Sequence, residues 1–375
     1  MGGILQGIIN PATAFPPAAA VDRLASVGSG TGQTGNNVFL ANNNAGQWTT
    51  QSDLIIIGHN AVSAGTQAIP VNDANLQGLI VIGSQAAPGL TTSPSIGSVQ
   101  GPSTIIGYKA LNSSANSNSN TLLGSNTARD YVGVISQQLG GNVIIGESAF
   151  TNITNSNLGS GDGLQRAVLI GASVCSPNLL QTKSFADSVI IGFNAVSRVV
   201  QTAATGGVGV ERNVIIGSKT AVNLGNQDSS VGSNDNVIIG FSSDAPGNSR
   251  GNVFIGSLVI GSGAASTSNV AIGSTVTGSN MTTGTDGNVV IGAEAANNVG
   301  NNRCVLLGRG AGARTGALID AANDQFLLET VDGLPGGTRR TLLYGKFGAA
   351  ATGGIIVGYS TPGTDRDIPG FNIFK

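Results

Sequence analysis

A short apolar motif that ends in glycine recurs along most of the chain. Three mostly aliphatic residues followed by Gly occur thirteen times, at intervals of 16 to 25 residues. The motif is constant, whereas the connection between its copies varies in length. A fixed unit with unequal connections is typical of a solenoid, in which each repeat forms one turn. The motif glycines are Gly58, Gly83, Gly107, Gly124, Gly146, Gly171, Gly192, Gly217, Gly240, Gly256, Gly273, Gly292 and Gly308.

The residues around the glycine fall into columns when each repeat is numbered from its motif glycine as position 0. Position −1 is Ile in eleven repeats and Leu in two, position −3 is usually β-branched, and position −4 is Asn in seven. Position +3 is always small or β-branched. An apolar, β-branched triplet between Asn and Gly predicts a short strand with a turn at each end.

Three consecutive apolar residues in each strand predict burial on both faces of the sheet, because neighbouring side chains of a strand point to opposite faces. A single-chain solenoid has only one interior, so the second face needs another surface, which identical chains supply in a symmetric oligomer. The predicted fold class is therefore all-β: a repetitive β-solenoid or β-roll shaft in an intertwined or side-by-side homotrimer. The alternative is a set of independent hairpins or a β-sandwich.

Two further features of the repeat are expected. The glycine ends the strand at a tight bend or a close backbone approach, since it carries no Cβ. The small residue at position +3 is expected to fit a second, crowded strand after that bend.

Two sequence resemblances make the prediction more specific. Residues 269–274 (Asn-Val-Ala-Ile-Gly-Ser) and 288–295 resemble the head repeats of trimeric autotransporter adhesins, which implies three chains packed side by side as β-rolls. Residues 323–329 and 341–347 are similar to the end of bacteriophage tail fibres and spikes. The residues themselves predict two strands around the turn-rich segment 332–337, placed to cover the last edge of the solenoid.

The chain divides into three predicted segments. Residues 1–47 contain Pro11, Pro16, Pro17 and a Gly/Ser/Thr-rich linker, and are expected to attach the protein to a virion. Residues 48–320 form the Gly-punctuated β-repeat shaft, and residues 321–375 form a C-terminal cap or tip. No Lys or Arg precedes the apolar stretch at the N-terminus, so no secretory signal is predicted.

Composition excludes several classes of protein. With 40% hydrophobic residues and a net charge of −2, the 375-residue chain is not expected to be disordered. The 58 glycines come with only 12 prolines, which excludes collagen. Seventeen Lys and Arg residues do not supply the basic surface that nucleic-acid binding needs.

Candidate chemistry is sparse, so the sequence predicts no catalytic residues, no metal site and no cofactor. Its one histidine, His59, follows the first motif glycine, and no metal-binding motif is present. Cys175 and Cys304 are expected to be buried, reduced thiols rather than a disulfide. The carboxylates that a glycan-cleaving site could use are Glu147, Asp162, Glu211, Asp228, Asp235 and Asp244, and isolated surface positions are expected for them.

Aromatic and charged residues supply the candidate contact sites. Tyr108, Phe193 and Phe241 each follow a motif glycine and either stack on sugars or pack across the trimer interface. In the predicted tip, charge and aromatic residues concentrate around Arg339, Arg340, Arg366 and Phe371.

These features together predict a bacteriophage fibre or spike located in the virion and assembled in the host cytoplasm. Its expected partners are two further copies of itself, a tail adaptor, hub or capsid protein bound through residues 1–47, and a polysaccharide or outer-membrane receptor on the host. The alternatives are a fibre that decorates the capsid head, a bacterial trimeric adhesin, and a polysaccharide-degrading tailspike.

Overall fold

The computed structural model is all-β in the part of the chain that it describes, with no helix there and hence none long and apolar enough to cross a membrane. The described residues are 38–40, 53–59, 61, 78–87, 102–111, 117–129, 139–151, 164–175, 185–196, 210–220, 233–243, 249–261, 267–278, 286–295, 303–311, 325–331, 339–346 and 355–357.

Twenty-four strands occur in these ranges, most of them two to five residues long. They are β1 (Val38–Leu40), β2 (Ile55–Ile57), β3 (Ile80–Ile82), β4 (Thr104–Ile106), β5 (Ser117–Asn118), β6 (Thr121–Leu123), β7 (Leu139–Gly140), β8 (Val143–Ile145), β9 (Leu164–Gln165), β10 (Val168–Ile170), β11 (Phe185–Ala186), β12 (Val189–Ile191), β13 (Val210–Glu211), β14 (Val214–Ser218), β15 (Val237–Phe241), β16 (Val253–Ser257), β17 (Ile260–Gly261), β18 (Val270–Ser274), β19 (Thr277–Gly278), β20 (Val289–Ile291), β21 (Val305–Leu307), β22 (Gln325–Val331), β23 (Arg339–Lys346) and β24 (Ile355–Val357).

The main sheet is a parallel ladder in which each motif strand pairs with the motif strands before and after it. Val214 pairs with Val237, Ile216 with Ile239, and the two motif glycines that follow pair with each other. Equivalent positions therefore stack directly, and each repeat is one rung of a β-solenoid. The solenoid is confirmed, and the alternative of independent hairpins or a β-sandwich is wrong because the motif strands run parallel.

The ladder extends one strand beyond the glycine motif at each end. Strand β1 pairs in parallel with β2, and β22 pairs in parallel with β21, although Ala41 and Glu329 stand where the glycine would be. Strand β22 also pairs antiparallel with β23, which pairs with β24. Both predicted C-terminal strands are thus present. The segment boundaries at residues 47 and 320 stay predictions.

The interior of the solenoid is built from the middle residue of each triplet. Position −2 is 0–6% exposed in every described rung from Ile56 to Leu327. Each such buried aliphatic side chain contributes roughly 2 kcal/mol to stability. The residue at position +3 is buried as well, at 0–1% exposure where it is Ala or Val, so the predicted crowding there is confirmed.

The predicted second strand after the bend is present in two rungs, where β17 and β19 follow the glycine and pair with each other. In most other rungs the residues beyond position +3 or +4 lie outside the described ranges, so the second strand stays a prediction there. A longer second ladder, formed by β5, β7, β9, β11 and β13, precedes the motif strand at positions −7 and −6. The bend after the glycine is a turn in eight rungs, and position +2 is left-handed in every rung where it is described.

The motif glycine is required because successive rungs approach each other closely at this position. All thirteen motif glycines have φ between +115° and +152°. A Cβ on Gly240 would lie 1.6 Å from the carbonyl oxygen of Gly256 in the next rung, and the same clash recurs along the column. No side chain fits such a contact without separating the rungs.

Two left-handed residues complete each turn. Position −5 has a positive φ in twelve of the thirteen rungs, the exception being Pro102, whose ring fixes φ at a negative value. Position +2 has a positive φ in all twelve rungs where it is described. Most of these residues are not glycine, at a cost of about 1 to 2 kcal/mol each. The stacking of adjacent rungs offsets that cost.

Asparagine at position −4 forms a buried ladder along the shaft. The Oδ1 atom of Asn236 accepts from both the backbone N–H and the Nδ2 of Asn252, at 3.1 and 3.0 Å. The same pair of bonds links Asn252 to Asn269, at 2.9 and 3.0 Å. Where the column holds Ser188, its Oγ still accepts from the next backbone N–H, that of Asn213. This side chain thus satisfies an amide that turns inward at the corner.

We expect Gly240→Ala to lower the free energy of unfolding by at least about 3 kcal/mol, because it combines an unfavourable φ with a backbone clash. Urea denaturation followed by circular dichroism measures the change. Gly251→Ala is the matched control: Gly251 also has a positive φ, but the nearest atom to its added Cβ is 3.9 Å away. Equal losses in the two variants would contradict the close-approach account.

We expect Asn252→Ala to cost about 2 to 3 kcal/mol, since it leaves two buried donors of Asn269 without their acceptor. Asn252→Ser should cost less, because a serine in this column still accepts from the next backbone N–H, as Ser188 does. Urea denaturation of both variants provides the comparison. If serine were no better than alanine, the ladder would not act through this hydrogen bond.

Candidate binding surfaces

The outward face of the main sheet is apolar. Positions −3 and −1 flank the buried middle residue and point away from the interior, and in all thirteen rungs they are half-buried or exposed. Of these 26 positions 24 are aliphatic, and the other two are Thr104 and Thr121. We call these two columns the apolar stripe. Leu123 and Ile291 are its most open aliphatic members, at 42% and 39% exposure.

The apolar stripe qualifies the prediction that both faces of each strand are buried. Within one chain only the inward face is buried, whereas the outward face is open to solvent. Soluble monomers rarely expose contiguous apolar patches of more than a few hundred Å². This face therefore has the composition of an interface that one chain leaves uncovered.

The three predicted aromatic contacts lie in one column beside the apolar stripe. Tyr108, Phe193 and Phe241 occupy position +1 and are 48%, 55% and 51% exposed. Ser218, which pairs with Phe241, lies in the rung between the two phenylalanines. The ammonium of Lys109 lies 5.1 Å from the centre of the Tyr108 ring, within range of a cation–π interaction.

The predicted contacts in the C-terminal tip are placed less fully. Arg339 and Arg340 begin β23, where they pair with Val331 and Thr330 of β22. Arg366 and Phe371 lie outside the described residues. The structure thus brings the three shaft aromatics into one column and leaves the tip residues as predictions.

A charged column on another corner of the shaft was not predicted. Position −5 alternates in sign over four successive rungs, and its first pair is bidentate, with Arg166 Nε and Nη2 donating to Asp187 at 2.6 and 2.8 Å. The second pair repeats this geometry, with Arg212 donating to Asp235 at 2.6 and 3.0 Å. The Arg-Asp-Arg-Asp order is present in the sequence. This order predicts ion pairs only when the residues at position −5 of successive rungs are known to stack on one another.

These ion pairs shift the pKa values of their members in the expected directions. Hydrogen bonds from Arg166 and Arg212 lower the pKa values of the Asp187 and Asp235 carboxyls. The carboxylates correspondingly raise the pKa values of both guanidinium groups. Since all four side chains are well exposed, each pair adds little to stability.

Two of the candidate carboxylates, Glu211 and Asp235, both contact Arg212. Hydrogen bonding to Arg212 lowers the pKa of the Asp235 carboxyl, which opposes proton donation by Asp235 in a glycan-cleaving pair. Glu147 is exposed at position +1, as is His59. The other three candidates, Asp162, Asp228 and Asp244, lie outside the described residues.

The residues that the structure describes form no site for metal binding or thiol chemistry. No group of three His, Cys, Asp or Glu side chains is placed there to hold a metal ion. Cys175 and Cys304 are buried and form no disulfide, as expected. Burial raises the pKa of the Cys175 thiol, which keeps it protonated and unreactive.

Comparison of the chain with protein-family models, with characterised proteins and with solved structures gives no match. The surfaces of the solenoid are therefore the basis for assigning a function.

Proposed function

We propose that this chain is the subunit of a homotrimeric bacteriophage fibre or spike. Residues 1–47 attach it to a tail adaptor, a hub or the capsid, and its more distal part contacts the host surface. The apolar stripe is the observation that carries this proposal, together with the resemblance of the C-terminal strands to phage fibre endings.

The size of the apolar stripe supports stable self-association. A specific protein interface uses roughly 20 to 30 residues on each side. The stripe offers each chain 26 positions, none of them charged, which a trimer divides between two neighbours. Every copy of the chain has the same rung spacing, so the apolar stripes of two chains in register contact each other along their whole length.

The width of the apolar stripe favours a trimer. It consists of two different columns, mostly Val at position −3 and Ile or Leu at position −1. In a ring of three chains, one column faces each neighbour, and such head-to-tail contacts close under threefold symmetry. Both columns of every chain are then covered by its two neighbours.

The shape of the ladder suits a fibre. Fifteen stacked strands at ordinary strand spacing span about 65 to 70 Å. Both ends of the chain's described part therefore lie far apart, which separates an attachment end from a contact end.

We expect Ile239→Glu to dissociate the trimer, since it would bury a carboxylate in each of the three apolar contacts. Sedimentation equilibrium measures the mass, and circular dichroism checks that the rungs remain folded, because Ile239 is half-exposed in the single chain. The control is Ser268→Glu, which adds the same charge at an exposed position −5. A fully trimeric Ile239→Glu protein would contradict this interface.

We expect the purified trimer to compete with the intact virus for its host. Cells preincubated with the trimer should adsorb fewer particles, and the titre of unadsorbed virus measures the effect. Gold-labelled antibody against the chain should mark the particle itself. Label on the bacterial envelope rather than on the virus would favour the adhesin alternative, and label on the head would favour the capsid fibre.

Polysaccharide cleavage is tested in the same preparation. Release of oligosaccharides from the host surface would show a degrading spike.

If virus adsorption were unchanged at saturating trimer, the proposed role in host contact would be contradicted.

A further inference from the structure

The column at position +1 alternates in side-chain size from rung to rung. Counting rungs from Gly58, every even rung carries Ser or Ala, whereas six of the seven odd rungs carry a large side chain. The exception is Ser274 in rung 11. The large residues are His59, Tyr108, Glu147, Phe193, Phe241 and Arg309; the small ones are Ser84, Ser125, Ala172, Ser218, Ser257 and Ala293.

The alternation is also one of exposure. Every large residue of the column is exposed, and every residue of the even rungs is half-buried between its neighbours. At ordinary strand spacing the large side chains recur about every 9 to 10 Å, with a gap between them. The column is therefore a comb with a period of two rungs.

The charges in this column place it at the rim of the proposed trimer rather than at its axis. Glu147 and Arg309 would each meet two copies of themselves on a threefold axis, where like charges repel. The apolar stripe next to the column has no charged residue. The comb thus borders the interface and stays open to solvent.

We propose that the +1 column binds an extended, linear polysaccharide that lies parallel to the shaft. This inference rests on the proposed function and names the ligand class of its host contact. The Phe193 and Phe241 rings, two rungs apart, stack on the apolar faces of alternate sugars, and the Tyr108 ring stacks on a sugar four rungs before Phe193. Serine hydroxyls in the gaps donate to and accept from the sugar hydroxyls between them.

The period of the comb distinguishes a glycan from other extended polymers. An extended glycan presents the same face at every second sugar, and the length of such a unit matches two rungs. An extended peptide repeats on one face about every 6.8 Å, which does not match. Nucleic acid requires a basic track, and this column has one arginine.

The test moves one ring by a single rung without changing composition. The double variant Phe193→Ser/Ser218→Phe places two rings in adjacent rungs, and Phe193→Ser/Phe241→Ser removes both. The full-length proteins are assayed on an array of purified bacterial surface polysaccharides that includes linear polymers with two-, three- and four-sugar repeats. Sedimentation equilibrium and thermal unfolding are measured for each protein.

We expect wild type to bind polymers with an even-numbered repeat, and both variants to bind at least about tenfold more weakly while staying trimeric. Equal binding by wild type and the ring-shifted variant would overturn the period argument. No binding to any polysaccharide would overturn the inference, and would leave the proposed function intact if the trimer still blocks virus adsorption. Dissociation or a lowered unfolding temperature in the variants would show that the rings pack between subunits instead.

Discussion

The close approach of successive rungs at the motif glycine is the constraint on which the rest of the structure depends. Carbonyl oxygens of neighbouring rungs occupy the space that a side chain at this position would need. A slip of one residue would bring a branched side chain into that space, so the glycine column fixes the register. Every other column follows from this register, including the asparagine ladder, the ion pairs at position −5 and the apolar stripe.

Once the register is fixed, each column has a single environment and can take a separate role. Inward columns carry the aliphatic core and the asparagine ladder, which satisfies the inward-turning amides. The outward columns differ more, since one corner is polar with alternating charges and the main sheet is aliphatic. In the proposed trimer this asymmetry favours the aliphatic stripe as the contact face, because a charged corner gains little from burial and an exposed aliphatic stripe gains much.

The columns with a constant residue type could be predicted from the sequence, and those without one could not. The glycine is the same in all thirteen rungs, the buried middle residue is always apolar, and asparagine holds position −4 in seven, so alignment of the repeats shows all three columns. Left-handed turns at positions −5 and +2 were missed, because residues as different as Arg212, Leu258 and Thr275 adopt them. Strand β1 was missed because it lacks the motif glycine, and for the same reason β22 was predicted as a C-terminal strand but not as a further rung of the ladder.

The candidate site was predicted in part for the same reason. Tyr108, Phe193 and Phe241 stood out because each follows a motif glycine, and the structure places all three in one exposed column. The two-rung alternation of side-chain size in their column was visible in the sequence, but its meaning required knowing that position +1 points outward. The pairing of Arg166 with Asp187 needed contacts between rungs 21 residues apart, which no local pattern reports.

Sedimentation equilibrium of the full wild-type chain tests the central claim most directly. The subunit mass is 37.2 kDa. If three apolar stripes meet around a common axis, the folded protein has three times this mass at low micromolar concentration. A folded, soluble monomer with an uncovered stripe would contradict the account.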